Sequence, residues 1–117
     1  MRLSEMYDRD ELLRRIVNRV TGGITHYEYG ICAALAYELT RAFLSNDIDD
    51  FVVREGWVDE GDQIPSAHTW IEMSDGREID PSFPKVFGSE ATKTADIQAT
   101  FRPREFLEYA EEDLGLG

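Results

Sequence analysis

The chain has 117 residues, of which 42% are hydrophobic and 11% aromatic, and we predict a single domain over residues 1–117. Its formal net charge of -12 disfavours nucleic acid and anionic membrane surfaces, because both require a clustered basic face, and is compatible with a basic protein partner. A single cysteine excludes an intramolecular disulfide. The polar start has no apolar signal core and no stretch approaches the roughly 20 apolar residues of a membrane helix, so we expect a cytoplasmic protein.

Two helices are predicted in the first half of the chain. Asp8 followed by Glu11 resembles a capping box, and the apolar residues after it recur at helical spacing up to a glycine pair, so the first helix is expected over about residues 9–20. A polar, aromatic loop leads into a second helix over roughly residues 31–44. The expected buried stripe of that helix contains Leu35, Ala36, Leu39 and Phe43.

The second half changes from helical to alternating periodicity. Residues 51–53 with 57–58 indicate a strand, and an acidic loop separates it from a second strand near residues 66–73. Ser-Asp-Gly at 74–76 is a turn signal, with residues 77–80 as the returning strand. Pro81 and Pro84 should stop pairing, residues 85–95 are expected to be a surface loop, and residues 96–101 a fourth strand. Pro103 suits the first turn of a last helix, with inward side chains at Phe106, Leu107, Ala110 and Leu114.

Cys32, His68 and Asp80 occur in an order that thiol catalysis can use. A thiol nucleophile requires an imidazole that takes its proton, and the imidazole requires a carboxylate or amide that fixes its tautomer. Cys32 stands at the predicted start of an apolar helix, where the helix dipole favours a thiolate. We therefore predict Cys32 as nucleophile, His68 as base and Asp80 as orienter.

The hairpin tests this prediction. A two-residue loop at 75–76 would place His68 and Asp80 on opposite faces of the sheet, because side chains alternate along a strand. A three-residue loop at 74–76 places Trp70 across from Asp80 and His68 one diagonal step away, roughly 7 to 8 Å between α-carbons. Trp70 would then flank the imidazole, although an indole on a sheet is also ordinary packing.

These residues resemble the transglutaminase-like superfamily. The resemblance rests on Gly30-x-Cys32 before an alanine-rich helix, on His68-Thr69-Trp70-Ile71-Glu72, and on Asp80-Pro81-Ser82, and it covers roughly residues 28–83. It implies an α+β fold of papain-like type, in which the nucleophile helix packs on a small antiparallel sheet with flanking N- and C-terminal helices. It also implies the roles of Cys32, His68 and Asp80, but no single reaction, since relatives include crosslinking acyltransferases, peptidases, deamidases and inactive members.

Two function classes follow. The first is a cysteine-dependent acyl-transfer enzyme that hydrolyses or transamidates an amide of a peptide or protein through a thioester and needs no cofactor. The backbone N–H of Cys32 would donate to the oxyanion, with Tyr27, Tyr29 or His26 as further donors and Trp70 lining the site. The second is an inactive domain whose acidic surface binds a basic partner or acts as an inhibitor.

Metal sites are not predicted. Zinc ligation by the cysteine and histidines lacks the paired ligand spacing, and the acidic loops around residues 47–50 and 59–62 lack the ligand pattern of a calcium loop. A lone cysteine in an apolar helix is also, in general, a small buried hydrophobe.

Overall fold

A computed structural model describes residues 8–22, 31–58, 66–80, 85–86 and 96–117, with the backbone alone at residues 31, 58, 66, 67, 80, 85 and 86. In these ranges the helices are α1 (Arg9–Thr21), α2 (Ile31–Ser45) and α3 (Pro103–Asp113), and the strands are β1 (Phe51–Val58), β2 (Ser66–Met73), β3 (Glu78–Asp80), β4 (Lys85–Val86) and β5 (Asp96–Phe101). The strands form one antiparallel sheet in the order β4-β3-β2-β1-β5. The predicted α+β class is confirmed.

The helix boundaries follow local chemistry. The Asp8 carboxylate accepts a hydrogen bond of 2.9 Å from the Glu11 N–H, so Asp8 is the predicted N-cap of α1. Pro103 opens α3 as predicted, because its missing N–H would lack a helical acceptor in the first turn anyway. Before it, the Arg102 N–H donates to the Glu105 carboxylate over 3.3 Å. These contacts satisfy backbone donors that a helix start otherwise leaves unpaired.

The hydrophobic core lies between the three helices and one face of the sheet. The predicted stripe of α2 is buried, with Ala36, Leu39 and Phe43 at 0% exposure and Leu35 at 7%. Strand residues that alternate toward the helices complete the core: Phe51, Val53, Ile71, Met73 and Ile79. Phe106 and Ala110 add the inner face of α3. Side-chain alternation thus leaves the even-numbered residues of β1 and β2 on the opposite face.

The turn between β2 and β3 has the three-residue form that the triad requires. Ile71 faces Ile79 and Glu72 faces Glu78. Met73 and Arg77 form the next pair, because the Met73 N–H donates to the Arg77 carbonyl over 2.7 Å. Residues 74–76 therefore form the loop. Gly76 has φ 91°, which is the left-handed position of a three-residue hairpin loop.

Two sequence predictions in the C-terminal part are wrong, and one lies outside the described residues. Residues 85 and 86 are not loop but β4, which pairs with β3 at Ile79 and Asp80. Leu114 is 39% exposed rather than inward, because α3 ends at Asp113. Its expected place is taken by Leu116, whose N–H donates to the Ala110 carbonyl and whose side chain packs against the core. The predicted stop at the two prolines falls on residues 81–84, outside the described ranges.

Within the described ranges, none of the helices combines the length and the apolar character needed to cross a bilayer.

Candidate functional site

Cys32 is the second residue of α2, and its side chain is only 5% exposed. In this first turn the backbone N–H groups have no acceptor within the helix, and the aligned peptide dipoles favour negative charge. The cysteine therefore stands where a thiolate and a developing oxyanion are both stabilised by the backbone. The position of Cys32 at the helix start is as predicted, and its role as nucleophile stays a prediction.

The environment of Cys32 favours the thiolate despite its burial. Burial is the largest single influence and raises the pKa of the Cys32 thiol. A hydrogen bond with the His68 side chain, the charge of that imidazole and two hydrogen bonds from Thr69 together outweigh burial and lower the pKa below its ordinary value. The structure thus brings Cys32 and His68, which are 36 positions apart, into direct interaction.

Trp70 lies beside the imidazole, as predicted. The rings of His68 and Trp70 are stacked, with centroids 6.0 Å apart and planes 19° from parallel. Both side chains are buried, and Trp70 is 1% exposed. The indole therefore limits the motion of the imidazole and keeps water from one of its faces.

The backbone places Asp80 on the face that carries His68. The register in which Ile71 faces Ile79 continues to Trp70 and Asp80, one diagonal step from His68. This is the arrangement that the triad predicts, and the alternative two-residue register is wrong. The side chain of Asp80 lies outside the described part of the structure, so its role as orienter stays a prediction.

Thr69 is a site residue that sequence reasoning missed. Its backbone N–H and its hydroxyl both hydrogen bond to Cys32, and the side chain is 4% exposed. On β2 it shares a face with Ile71 and Met73, which are core residues. A hydroxyl in an otherwise apolar strand face, directly after a histidine, is the signal that could have identified it.

Two residues of β1, Arg54 and Gly56, lie across the sheet from the site residues Trp70 and His68. Arg54 is paired across the sheet with Trp70, and its Nε lies 2.7 Å from a carboxylate oxygen of Glu72. Gly56 is paired with His68 and borders a bulge in the β1–β5 ladder. The Nε1–H of Trp70 is buried and has no hydrogen-bond acceptor among the described atoms. A buried donor of this kind is available to an incoming acceptor.

Tyr27, Tyr29 and His26 lie outside the described residues, so their predicted roles as donors are not addressed. Among the residues whose side chains are described, no group of three His, Cys, Asp or Glu side chains converges as metal ligands would. The chemistry available at the described site is therefore that of a thiol, an imidazole, a hydroxyl and an indole N–H.

Comparisons with protein-family models, with curated proteins and with solved structures each found no match. The transglutaminase-like resemblance therefore rests on the three sequence motifs.

Proposed function

We propose that this chain is a small cysteine-dependent acyl-transfer enzyme with a transglutaminase-like core, acting on an amide of a peptide or protein. The observation that carries the proposal is the interaction of the only cysteine with His68 and Thr69, which lowers the pKa of a buried thiol. Burial without such partners would raise that pKa and leave the thiol inert. A structural cysteine gains nothing from this arrangement, whereas a nucleophile depends on it.

The proposed reaction has two halves. Cys32 gives its proton to His68, and the thiolate attacks the amide carbonyl carbon to form a tetrahedral oxyanion. The imidazolium of His68 then protonates the departing amine, the C–N bond breaks, and a thioester remains on Cys32. In the second half His68 takes a proton from water or from an acceptor amine, which attacks the thioester carbonyl carbon. The C–S bond then breaks, the acid or the new amide leaves, and the imidazolium proton restores the Cys32 thiol. Asp80 would fix the imidazole tautomer during both halves.

Two donors are proposed for the oxyanion. The Cys32 N–H in the first turn of α2 is one, because helix geometry leaves it without an intrahelical acceptor. The Trp70 Nε1–H is the second, because it is buried, has no acceptor among the described atoms, and belongs to a ring stacked on His68. Tyr27, Tyr29 and His26 are the alternative candidates for the second donor.

The proposal is tested by alkylating Cys32 with iodoacetamide across pH. The chain has one cysteine, so every label reports this site, and the unfolded chain gives the rate of an ordinary thiol. We expect the folded protein to show a labelling midpoint below the roughly 8.5 of a free thiol. His68→Ala should raise the midpoint strongly, since burial would still raise the pKa of the thiol while the hydrogen bond and charge of His68 would no longer lower it. Thr69→Val should raise it less, since the Thr69 N–H remains.

A folded midpoint at or above that of the unfolded chain, or one that His68→Ala leaves unchanged, would contradict the proposed enzyme. Such a result would favour the second class, an inactive domain that binds a basic protein through its acidic surface. One observation supports that alternative: Cys32 and His68 are only 5% and 8% exposed, so a substrate must open the site to reach the sulfur. Slow labelling unaffected by both variants would be its signature.

A further inference from the structure

A shallow groove lies between α1 and α2, and none of its lining residues belongs to the thiol site. Its apolar floor is formed by Leu12, Ile16 and Val20 of α1 and Ala42 of α2, and its volume is about 520 Å³. Leu12 and Ile16 are buried in the core, whereas Val20 and Ala42 are half-buried beside it. The groove spans about two helical turns of α1. We call it the α1–α2 groove.

The charged residues that line the α1–α2 groove are both arginines, Arg15 and Arg19. They are four positions apart, so on a helix they stand one turn apart on the same side. The whole of α1 carries four arginines against two carboxylates, a net charge of +2, in a chain whose net charge is -12. The groove is therefore a basic surface on an acidic protein.

The polar side chains on the α2 side of the groove are engaged with their own helix. The Ser45 hydroxyl donates to the Arg41 carbonyl over 2.8 Å, and the Asn46 amide donates to the Ala42 carbonyl over 2.8 Å. Backbone N–H groups of residues 46–48 satisfy the carbonyls of Phe43 and Leu44. The negative end of the α2 dipole is thus largely capped. What the groove offers a ligand is its apolar floor and the two guanidinium groups.

Arg15 already contacts Glu11 at 3.1 Å, but both side chains are about half exposed, at 57% and 46%. An exposed pair of this kind contributes little, so an incoming carboxylate can replace Glu11 at small cost.

We propose that the α1–α2 groove binds an acidic amphipathic helix of a partner protein. Apolar side chains of that helix, three or four positions apart, would enter between α1 and α2 as a third packed helix. Carboxylates on its flanks, also one turn apart, would pair with Arg15 and Arg19. An extended polyanion such as RNA has no apolar face to fill the floor and is repelled by the remaining charge of the chain.

The probe is a fluorescein-labelled 15-residue peptide with leucines at helical spacing and glutamates on both flanks, compared with a twin in which every glutamate is glutamine. Fluorescence anisotropy should show saturable binding of the acidic peptide, at least about 10-fold weaker binding of the glutamine peptide, and weaker binding of the acidic peptide as salt is added.

The double variant Arg15→Glu/Arg19→Glu should weaken binding of the acidic peptide by at least about 10-fold. The control is Arg14→Glu, which makes the same charge change as either single variant, Arg15→Glu or Arg19→Glu, at a residue that does not line the groove, and it should shift the Kd by less than about 3-fold. Thermal unfolding of each variant checks that the fold is kept.

The proposal would be overturned by absence of binding, by equal binding of the two peptides, or by equal effects of the Arg14 and Arg15/Arg19 variants. Displacement of the peptide by single-stranded RNA at lower concentration than by unlabelled peptide would also overturn it. Sedimentation of the parent chain as a dimer that Arg15→Glu dissociates would also overturn it, because the occupant would then be a second copy.

Discussion

Replacing Gly56 with alanine tests whether β1 and β5 must approach closely beside His68. A Cβ at residue 56 would lie 2.3 Å from the Asp96 carbonyl oxygen and 3.0 Å from the Ile97 Cα, both backbone atoms of β5. Ordinary contact begins at 3.4 Å, so β5 must retreat by about 1.1 Å. A typical N–H···O distance of about 2.9 Å would then approach 4 Å, beyond hydrogen-bonding range. The pairing of residues 56–57 with 96–97 is expected to be lost.

We expect Gly56→Ala to lower the free energy of unfolding by about 1–3 kcal/mol, the usual cost of forcing atoms into a packed region. For a chain of this size each kcal/mol corresponds to about 4 °C in Tm, so the Tm should fall by about 4–12 °C. Differential scanning calorimetry measures the Tm, and amide hydrogen exchange should show faster exchange near residues 96 and 97. Exchange at residues 99–101 should stay slow, because that part of the ladder lies beyond the bulge.

Gly76→Ala is the matched control. Its φ of 91° is unfavourable for alanine, but no atom lies within 4 Å of the added Cβ. It should therefore lose about 1 kcal/mol through backbone strain without altering exchange in β5. If Gly56→Ala kept its Tm within about 2 °C of the parent and exchange near residue 96 stayed slow, the argument for a forced close approach would be refuted.

Three further predictions concern single side chains. Trp70→Phe keeps a ring beside His68 but removes the indole N–H. If that N–H stabilises the oxyanion, the kcat for hydrolysis of a small activated ester by Cys32 should fall by about 10²-fold. An unchanged kcat would exclude this role for Trp70. Tyr109→Phe removes a hydroxyl that donates to both Glu55 oxygens over 3.1 Å and should cost about 1 kcal/mol in chemical denaturation, while a neutral result would show that the contact adds nothing. The hydrogen bond from Arg9 is the main reason that the pKa of Asp50 is lowered, so its stabilisation is complete above the ordinary aspartate pKa of about 3.9 and is lost as pH falls through the lower folded value. Urea unfolding between pH 2 and 6 should show this loss in the parent and not in Asp50→Asn.

The sequence identifies most of the fold because its elements are bounded by residues with clear local chemistry. Asp8 and Pro103 mark helix starts, and β2 at Ser66–Met73 has the predicted bounds because its alternation is bordered by a turn signal. The two-residue β4 escapes prediction because such a short strand is specified by its partner strand rather than by its own pattern. Leu114 was misplaced because helical periodicity extends past the residue at which the helix ends.

The candidate site was partly predictable for a similar reason. Cys32, His68 and Trp70 have distinctive chemistry and spacing, and the structure brings them together. Thr69 has no motif of its own, and its role depends on how the start of α2 meets β2, which no local pattern encodes. That the Nε1–H of Trp70 has no acceptor among the described residues could not be recognised from the sequence, because satisfaction of a buried group depends on every neighbour in space.

The number of residues in the turn at 74–76 fixes which face of the sheet residue 80 occupies. Substituting Ser74 or Asp75 would remove the hydroxyl contact with Asp50 or the carboxylate contact with the Arg77 N–H, but would keep the number of loop residues. A one-codon deletion in this turn would instead shift the register by one residue and carry residue 80 to the far side of the sheet. Loops generally tolerate such deletions, but here the deletion would have the same effect as removing Asp80 from its proposed place beside His68. Length variation at this turn therefore separates chains that can keep a Cys-His-Asp arrangement from chains that keep only the fold.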